Sequence, residues 1–256
     1  MSSVLESARP SDYLTRLAVS TFGRSYKALV VDELACRPGD VVVDLGCGPG
    51  ADLPALAAAV GPAGTVLGID EDPVAVEEAR RATADLAQVS VDQGDGHRLA
   101  LEDRSVDRVH TDRVLQHVAG PSAVVAEVAR VLRADGIAGL AEPDWDTLVI
   151  DHPDPARPDA YRRFVTDEVV RNSRIGRRLP ALCELAGLRV NRVVPVTAVF
   201  RDVAEADRVL GFQRVTERAV DAGYLTPTDA VAWLEHLRSA PFFALATIFV
   251  TVAQRA

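Results

Sequence analysis

Hydrophobic positions along the chain form short apolar runs that alternate with amphipathic segments. The run at residues 41–45, Val-Val-Val-Asp-Leu, is β-branched and nearly continuous, as expected of a strand buried on both faces. Strands and helices alternate from this run onward, which predicts a doubly wound α/β fold with a mostly parallel sheet. The further strands are predicted at 65–69, 89–93, 106–111 and 136–143, and the helices at 52–60, 73–86 and 122–132.

Helical segments flank this alternating region. Apolar spacing between residues 11 and 35 predicts two N-terminal helices, interrupted at Gly23. A proline-rich loop at 151–160, a helix to about 173 and another at 179–186 are interpreted as an insertion over the site. The rest of the pattern predicts two further strands, at 188–200 and 242–253, which bring the sheet to seven strands. It also predicts two helices, at 204–222 and 228–239.

We expect one Rossmann-like domain over residues 1–256. Its parts are N-terminal helices (1–40), a cofactor-binding core (41–143) and substrate-side insertions (144–187 and 203–240).

The formal net charge of -9 disfavours a nucleic-acid partner, because affinity for DNA or RNA comes largely from Lys and Arg neutralising phosphates. A small-molecule substrate is therefore expected. The longest apolar run, at 241–253, is too short to cross a bilayer, so no membrane span is expected. The oligomeric state stays open between a monomer and a homodimer.

The cysteines Cys36, Cys47 and Cys183 are odd in number and widely spaced, without a C-x-x-C pair. Neither a disulfide framework nor a metal site is therefore indicated. We expect a cytoplasmic protein.

A glycine loop is the strongest signal for a ligand site. Gly46, Gly48 and Gly50 follow the first predicted strand directly and precede a helix, and glycines there let the backbone approach a ligand closely. A structural turn is the alternative interpretation. The spacing G-x-G-x-G, preceded by Asp44, differs from the G-x-x-G ending of the dinucleotide fingerprint, so no pyrophosphate site is implied.

Two carboxylates follow the loop at the ends of the next strands. Asp70 ends the second strand about 20 residues after the glycines, where a doubly wound fold places an acceptor for ribose hydroxyls. Asp95 follows the third strand in Gly-Asp-Gly-His, at the same edge of the sheet, and can accept a hydrogen bond from an adenine amino group. For Asp95, a simple turn is an equally good interpretation.

These motifs resemble those of the class I S-adenosylmethionine-dependent methyltransferases. Asp-Leu-Gly-Cys-Gly-Pro-Gly resembles the first motif, Gly-Ile-Asp the second and Gly-Asp-Gly the adenine loop, and the resemblance runs over residues 41–143. Within the family, the pattern is similar to the subgroup of ubiquinone and menaquinone C-methyltransferases and many natural-product enzymes. An N-P-P-Y-like segment, typical of enzymes that methylate nucleic-acid bases, is replaced by Thr-Asp-Arg-Val at 111–114.

The resemblance implies S-adenosylmethionine as cofactor and a set of residues around it. The glycine loop would lie beside the methionine part, the acid after strand 2 would bind ribose, and the loop after strand 3 would hold adenine. Asp112 falls where the family often uses a backbone carbonyl near the cofactor's amino group, and Arg24 is a candidate partner of its carboxylate. The full implied set is Arg24, Asp44, Gly46, Cys47, Gly48, Gly50, Asp70, Glu71, Asp95, Gly96, His97, Asp112 and Arg113.

Two residues are candidates for catalysis. His117 follows strand 4 at the cofactor edge and is a possible general base, with a packed structural histidine as the alternative. Asp144 follows strand 5 beside Trp145, in a segment suited to the mouth of a pocket for an aromatic or cationic acceptor, or else in a structural loop. Aromatic residues that either line a pocket or pack in the core are Tyr13, Tyr161, Phe164, Phe212 and Trp233.

The expected activity is methyl transfer to oxygen, nitrogen or carbon of a small metabolite, such as a secondary metabolite or a quinone. An enzyme of the same fold that performs a non-methylating reaction, such as a cyclisation, is a second hypothesis. A third is a non-catalytic module that binds S-adenosylmethionine. Turnover, and the appearance of S-adenosylhomocysteine during it, would distinguish the three.

Overall fold

The computed structural model of the protein describes residues 21–239 and 241–256. In this part of the chain, seven strands form one sheet in the order β3-β2-β1-β4-β5-β7-β6. Strands β1 to β5 pair in parallel, whereas β7 runs antiparallel to both β5 and β6. The strands are β1 (Val41–Leu45), β2 (Thr65–Asp70), β3 (Val89–Gln93), β4 (Val106–Asp112), β5 (Leu132–Ile150), β6 (Leu188–Phe200) and β7 (Ala244–Arg255).

Helices precede the sheet and connect its strands. A π-helical turn, Val165–Val169, follows the fifth of the described helices. The helices are α1 (Thr21–Glu33), α2 (Leu53–Val60), α3 (Pro73–Ala82), α4 (Pro121–Val131), α5 (Ala156–Phe164), α6 (Ile175–Leu185), α7 (Val203–Leu210), α8 (Phe212–Asp221) and α9 (Pro227–Ser239).

The strand order confirms the expected fold class, a doubly wound, mostly parallel α/β sheet. The chain leaves β1 toward β2 and β3 on one side and returns to β4 on the other. Ligands of such sheets bind in the crevice at this reversal, beyond the carboxyl ends of the strands. The glycine loop leaves β1 at that crevice. No helix within the described ranges is long and apolar enough to cross a membrane.

The N-terminal region differs from the expected pair of helices interrupted at Gly23. Helix α1 runs through Gly23 without a break, and the part of the prediction before residue 21, with Tyr13, lies outside the described residues. Tyr26 and Val30 on α1 are fully buried. Glycine in a helix costs about 1 kcal/mol relative to alanine, which the burial of two large side chains exceeds.

Strand β5 is much longer than the expected 136–143. It begins at Leu132, the last residue of the helix expected at 122–132, and continues to Ile150, where the long strand β7 pairs along it. A register shift lies between Asp144 and Val149. The segment expected to form a loop at the mouth of the fold is therefore part of a strand, and Trp145 is buried in it.

Other helix boundaries also differ from prediction. Gly211 adopts a left-handed conformation, with φ of 63°, and divides the single helix expected at 204–222 into α7 and α8. Helix α3 stops at Ala82, because Thr83 leaves the helical conformation and returns its hydroxyl to the Ala79 carbonyl. Helix α5 ends well before residue 173, in the π-helical turn.

The residues of the predicted insertion after residue 143 pack in two different apolar clusters. Helix α6 begins at Ile175 rather than 179, and its Leu179 and Cys183 pack in the central core, so it belongs to the sheet layer. A second apolar cluster lies outside that core. The large aromatic residues of this cluster are buried, which agrees with the interpretation that they pack in a core. They include Trp145, Tyr161, Phe164, Phe212 and Trp233.

Candidate active site

The glycine loop is fixed by backbone bonds to the neighbouring strand. The N–H groups of Gly46 and Cys47 donate to the Ile69 carbonyl at 2.7 and 3.1 Å. A Cβ atom on Gly46, whose φ is 71°, would lie 2.2 Å from Cγ2 of Val114. At Gly50, with φ of 86°, the nearest atoms to a Cβ would also belong to protein side chains, at 3.1 Å. Packing within the protein therefore excludes a side chain at Gly46, whereas at Gly50 a side chain would be tightly packed and strained by the positive φ.

Asp70 is held by the loop that precedes it in sequence. Its Oδ2 accepts from the Gly48 N–H at 2.8 Å, and its Oδ1 accepts from the Asp72 N–H at 2.9 Å. Each carboxylate oxygen keeps a lone pair for a further bond. The side chain is partly exposed at the carboxyl end of β2. It is thus an oriented double acceptor suited to vicinal hydroxyls. Glu71, next to it, is exposed.

Asp95 and His97 form a linked pair beyond β3. The Asp95 Oδ1 accepts from the His97 N–H at 2.8 Å and lies 2.6 Å from His97 Nδ1. His97 Nε2 accepts from the Gly120 N–H at 3.3 Å, which places the ring proton on Nδ1. The bond from the His97 backbone, with that from its ring, lowers the pKa of Asp95. Asp95 is 63% exposed and ionised, so it can accept from an amine.

Asp44 and His110 form a buried pair on β1 and β4. They are register partners, and Asp44 Oδ1 lies 2.7 Å from His110 Nδ1. Burial raises the pKa of Asp44, although the imidazole of His110 acts to lower it. Burial disfavours charge on His110 as well, but the Asp44 carboxylate raises the pKa of His110 above its usual value. The two residues are therefore joined by a short buried contact at the end of β1, just before the glycine loop.

A second buried group joins α1 to the same edge. Lys27 Nζ lies 2.5 Å from Asp52 Oδ2 and 2.6 Å from Asp112 Oδ2. The Tyr26 hydroxyl donates to the same Asp112 oxygen at 2.9 Å. Burial opposes ionisation, yet Lys27 and Arg113 lower the pKa of Asp112 to about 2. Tyr26, Lys27 and Asp52 were absent from the predicted site.

Other predicted cofactor residues lie around this group. Arg24 is exposed on α1, one turn before Lys27. Cys47 is buried, and burial raises the pKa of its thiol. Arg113 adopts φ of 58°, and its Nε lies 3.5 Å from Asp112 Oδ1. Gly96 packs near Leu45, at the end of β1. Each predicted cofactor residue from Asp44 onward thus lies in or next to a loop at the carboxyl edge of the sheet.

His117 follows β4 on the loop that carries Arg113. More than a third of the surface of the residue is exposed, so the ring is only partly removed from water. Removal of the ring from water, together with the Arg113 guanidinium, lowers the pKa of His117 to about 4. The imidazole is therefore neutral at physiological pH.

Asp144 does not lie in an open loop. It is fully buried in β5 and accepts two bonds from the Arg177 guanidinium, the Nη2 bond being 2.8 Å long. It also accepts from the Asp146 N–H at 3.1 Å. Both oxygens of the Asp144 carboxylate are thus engaged within the protein, and this geometry favours a structural role.

Glu142 is a buried carboxylate that the sequence did not single out. Its oxygens accept from the N–H groups of Leu115 and Gln116, at 2.5 and 3.2 Å. These bonds fix the turn between β4 and His117. Burial, opposed by the backbone donors and reinforced by Asp112, raises the pKa of Glu142 to about 8.

The raised pKa of Glu142 predicts a pH dependence of stability. A carboxyl group with an unfolded pKa of 4.5 and a folded pKa of about 8 contributes stability that is lost as pH rises between those values. Thermal unfolding at intervals from pH 5 to 9 should show that the free energy of unfolding of the wild type declines as pH rises. In Glu142→Gln, this decline should be smaller by roughly 2–4 kcal/mol. Parallel profiles for the two proteins would contradict the assignment.

Comparison with known proteins agrees with this geometry. A family profile described as a methyltransferase domain matches residues 37–170. An uncharacterized 37.1 kDa protein in transposon TN4556 of Streptomyces fradiae is 54% identical over 253 residues, which cover 98% of this chain and 73% of that protein.

Two named relatives share the cofactor half of the chain. Nocamycin O-methyltransferase of Saccharothrix syringae is 40% identical over 48% of this chain and 44% of that protein. Demethylmenaquinone methyltransferase of Staphylococcus aureus is 32% identical over 49% of this chain and 52% of that protein. The chain thus matches about half the length of these two relatives.

Solved structures share the fold at low identity. A putative methyltransferase from Bacillus halodurans C-125 gives a TM-score of 0.67 at 18% identity, covering 90% of this chain and 99% of that one. The [4+2]-cyclase SpnF gives 0.60 at 18% identity, covering 91% and 81%. With the loops that leave β1, β2 and β3, these matches show that the chain belongs to the class I S-adenosylmethionine-dependent methyltransferases, similar to the ubiquinone and menaquinone C-methyltransferase subgroup.

Proposed function

We propose that the protein transfers a methyl group from S-adenosylmethionine to an oxygen, nitrogen or carbon atom of a small metabolite. The observation that carries the proposal is the row of acceptors at one sheet edge. Asp70 presents an oriented carboxylate next to the glycine loop, and Asp95 presents a second one beyond β3. When bound, S-adenosylmethionine supplies an electrophilic methyl carbon on its sulfonium sulfur.

The residues at this edge fit the cofactor's polar groups. Asp70 would accept from the ribose hydroxyls, and Asp95, with Gly96 and His97 beside it, would accept from the adenine amine. Asp44 Oδ2 and Asp112 Oδ1 are buried carboxylate oxygens without a hydrogen-bond partner among the described residues. Buried acceptors of this kind call for a donor, which the α-ammonium group of the cofactor would provide.

His117 is the residue proposed to accept a proton from the metabolite, at an imidazole nitrogen. General-base help contributes roughly 10²- to 10⁴-fold when the pKa of the base lies near the working pH. The lowered pKa of His117 makes it a weak base, so its contribution should lie at the lower end of that range. Positioning of the acceptor atom would then supply most of the acceleration.

The acceptor is proposed to be a secondary metabolite or a quinone. The net charge of -9 supports an acceptor other than nucleic acid. The names of the nocamycin and demethylmenaquinone enzymes indicate small organic acceptors for those relatives. We assign the acceptor side to the region after β5, including 203–240, within a single domain.

A cyclisation is the second candidate function, favoured by the fold shared with a [4+2]-cyclase. Titration with S-adenosylmethionine and S-adenosylhomocysteine should show micromolar binding, and incubation with a panel of phenols, quinones and amines should release S-adenosylhomocysteine. Binding together with product formation that releases no S-adenosylhomocysteine would favour a cyclase. The absence of binding by folded protein would refute both functions.

A further inference from the structure

Lys27 is the only lysine in the 256-residue chain, and it is buried. Its ammonium group lies between two carboxylates, those of Asp52 and Asp112, at 2.5 and 2.6 Å. A lysine is rarely buried unless it is paired, and loss of one partner from such a pair leaves an uncompensated charge. Lys27 therefore supplies the counter-charge for both acids.

The two acids belong to different parts of the cofactor edge. Asp52 immediately precedes α2, two residues after Gly50, and its carboxylate makes no capping bond to that helix. It is bonded to Lys27 instead. Asp112 is the last residue of β4. Lys27 thus ties α1 to the end of the glycine loop and to the end of the neighbouring strand.

The hydrogen bonds to Asp112 are asymmetric. Lys27 and Tyr26 both donate to Oδ2, whereas Oδ1 has no hydrogen-bond partner among the described residues, although Arg113 Nε lies 3.5 Å away. Two donors on one oxygen fix the rotation of the carboxylate. Oδ1 is therefore held in one orientation as an acceptor that is still to be satisfied.

We propose that Lys27 is a positioning residue for the methionine end of the cofactor. By neutralising Asp52 and orienting Asp112, it keeps Oδ1 of Asp112 ready to accept from the α-ammonium group. This rests on the proposed function above, since it concerns the same cofactor site. It assigns recognition to a side chain held from α1, in addition to any backbone carbonyl at this point of the chain.

Two ligands that differ only at the methionine end test the proposal. S-Adenosylhomocysteine carries the amino-acid group, whereas 5′-methylthioadenosine keeps the adenosine and the sulfur without it. Lys27→Met should weaken S-adenosylhomocysteine binding by at least 10-fold and 5′-methylthioadenosine binding by less than 2-fold, measured by calorimetry at a temperature where circular dichroism shows a folded variant. Asp32→Asn, an exposed position on the same helix, is the matched control and should change neither affinity.

The double variant Lys27→Met/Asp52→Asn removes one carboxylate together with the cation. If the single variant does not fold, the affinities for the two ligands are compared in this double variant instead. A purely structural role predicts equal losses for both ligands, or recovery of S-adenosylhomocysteine affinity in the double variant, and either result would overturn the proposal. Selective loss in Arg24→Met but not in Lys27→Met would do the same. Failure of the wild type to bind either ligand would instead refute the proposed function.

Discussion

Replacement of Asp70 by Asn is expected to weaken S-adenosylhomocysteine binding by about 100-fold or more. The carboxylate offers both oxygens, already oriented by the N–H groups of Gly48 and Asp72, to the two ribose hydroxyls. Asn keeps one acceptor and loses the charge. Each hydrogen bond to a charged group contributes roughly 1.5–3 kcal/mol, and 1.4 kcal/mol corresponds to tenfold in affinity. Calorimetric titration of the two proteins measures the difference.

Asp92→Asn is the matched control for Asp70. Asp92 lies on the neighbouring strand β3, with its side chain 70% exposed and 3.6 Å from Arg80. Its substitution removes the same charge from the sheet edge region without touching the loop, and affinity should stay within about 2-fold, the scale of a weak surface charge effect. Equal losses in both variants would mean that Asp70 acts through overall charge and does not bind ribose.

Substitution of Gly46 by Ala should destabilise the fold by roughly 2–5 kcal/mol and abolish cofactor binding. A left-handed backbone costs roughly 1–2 kcal/mol for an L-residue, and overpacking costs typically 1–3 kcal/mol more. The overpacking is unavoidable because the new Cβ would lie 2.2 Å from Val114 Cγ2. Chemical denaturation gives the change in the free energy of unfolding.

Gly61 is a control position for Gly46, because it combines a positive φ with free space around the site of a Cβ atom. Its φ is 66°, close to that of Gly46, but nothing lies within 4 Å of the position a Cβ would take. Because ψ of Gly61 is -174°, in a region that only glycine adopts readily, Gly61→Ala should show a backbone cost of roughly 1–3 kcal/mol without any steric contact. Gly46→Ala/Val114→Ala should recover part of the steric cost. A Gly46→Ala variant as stable as Gly61→Ala would contradict the packing explanation.

The central fold and the acceptors at its edge were predictable because their signals are local. The run at 41–45 and the glycines after it determine strand, loop and helix within about a dozen residues. Asp70 and Asp95 follow from strand endings, since all parallel strands of such a sheet end at the same edge. The sequence thus predicted where these carboxylates lie, whereas their roles at the cofactor stay predictions.

The features that the sequence did not predict depend on distant partners. Lys27 pairs with Asp52 and Asp112, which lie 25 and 85 residues away, so no spacing rule connects them. Strand β5 extends to Ile150 only because β7, about 100 residues later, pairs with it. A usable signal did exist for Lys27, because a single lysine stands among 28 basic residues.

The isolation of that lysine has a practical consequence. In lysine acylation, the unprotonated amine attacks the acyl carbon of the reagent or acyl donor and displaces its leaving group. The two carboxylates around Lys27 raise the pKa of its ammonium group well above the usual value, despite the opposing effect of burial. Since the surface carries no other lysine side chain, amine chemistry has no competing side-chain target. We therefore expect an ε-acyl adduct to form mainly on molecules in which Lys27 has separated from Asp52 and Asp112, so that its rate of appearance reports the opening of this buried group.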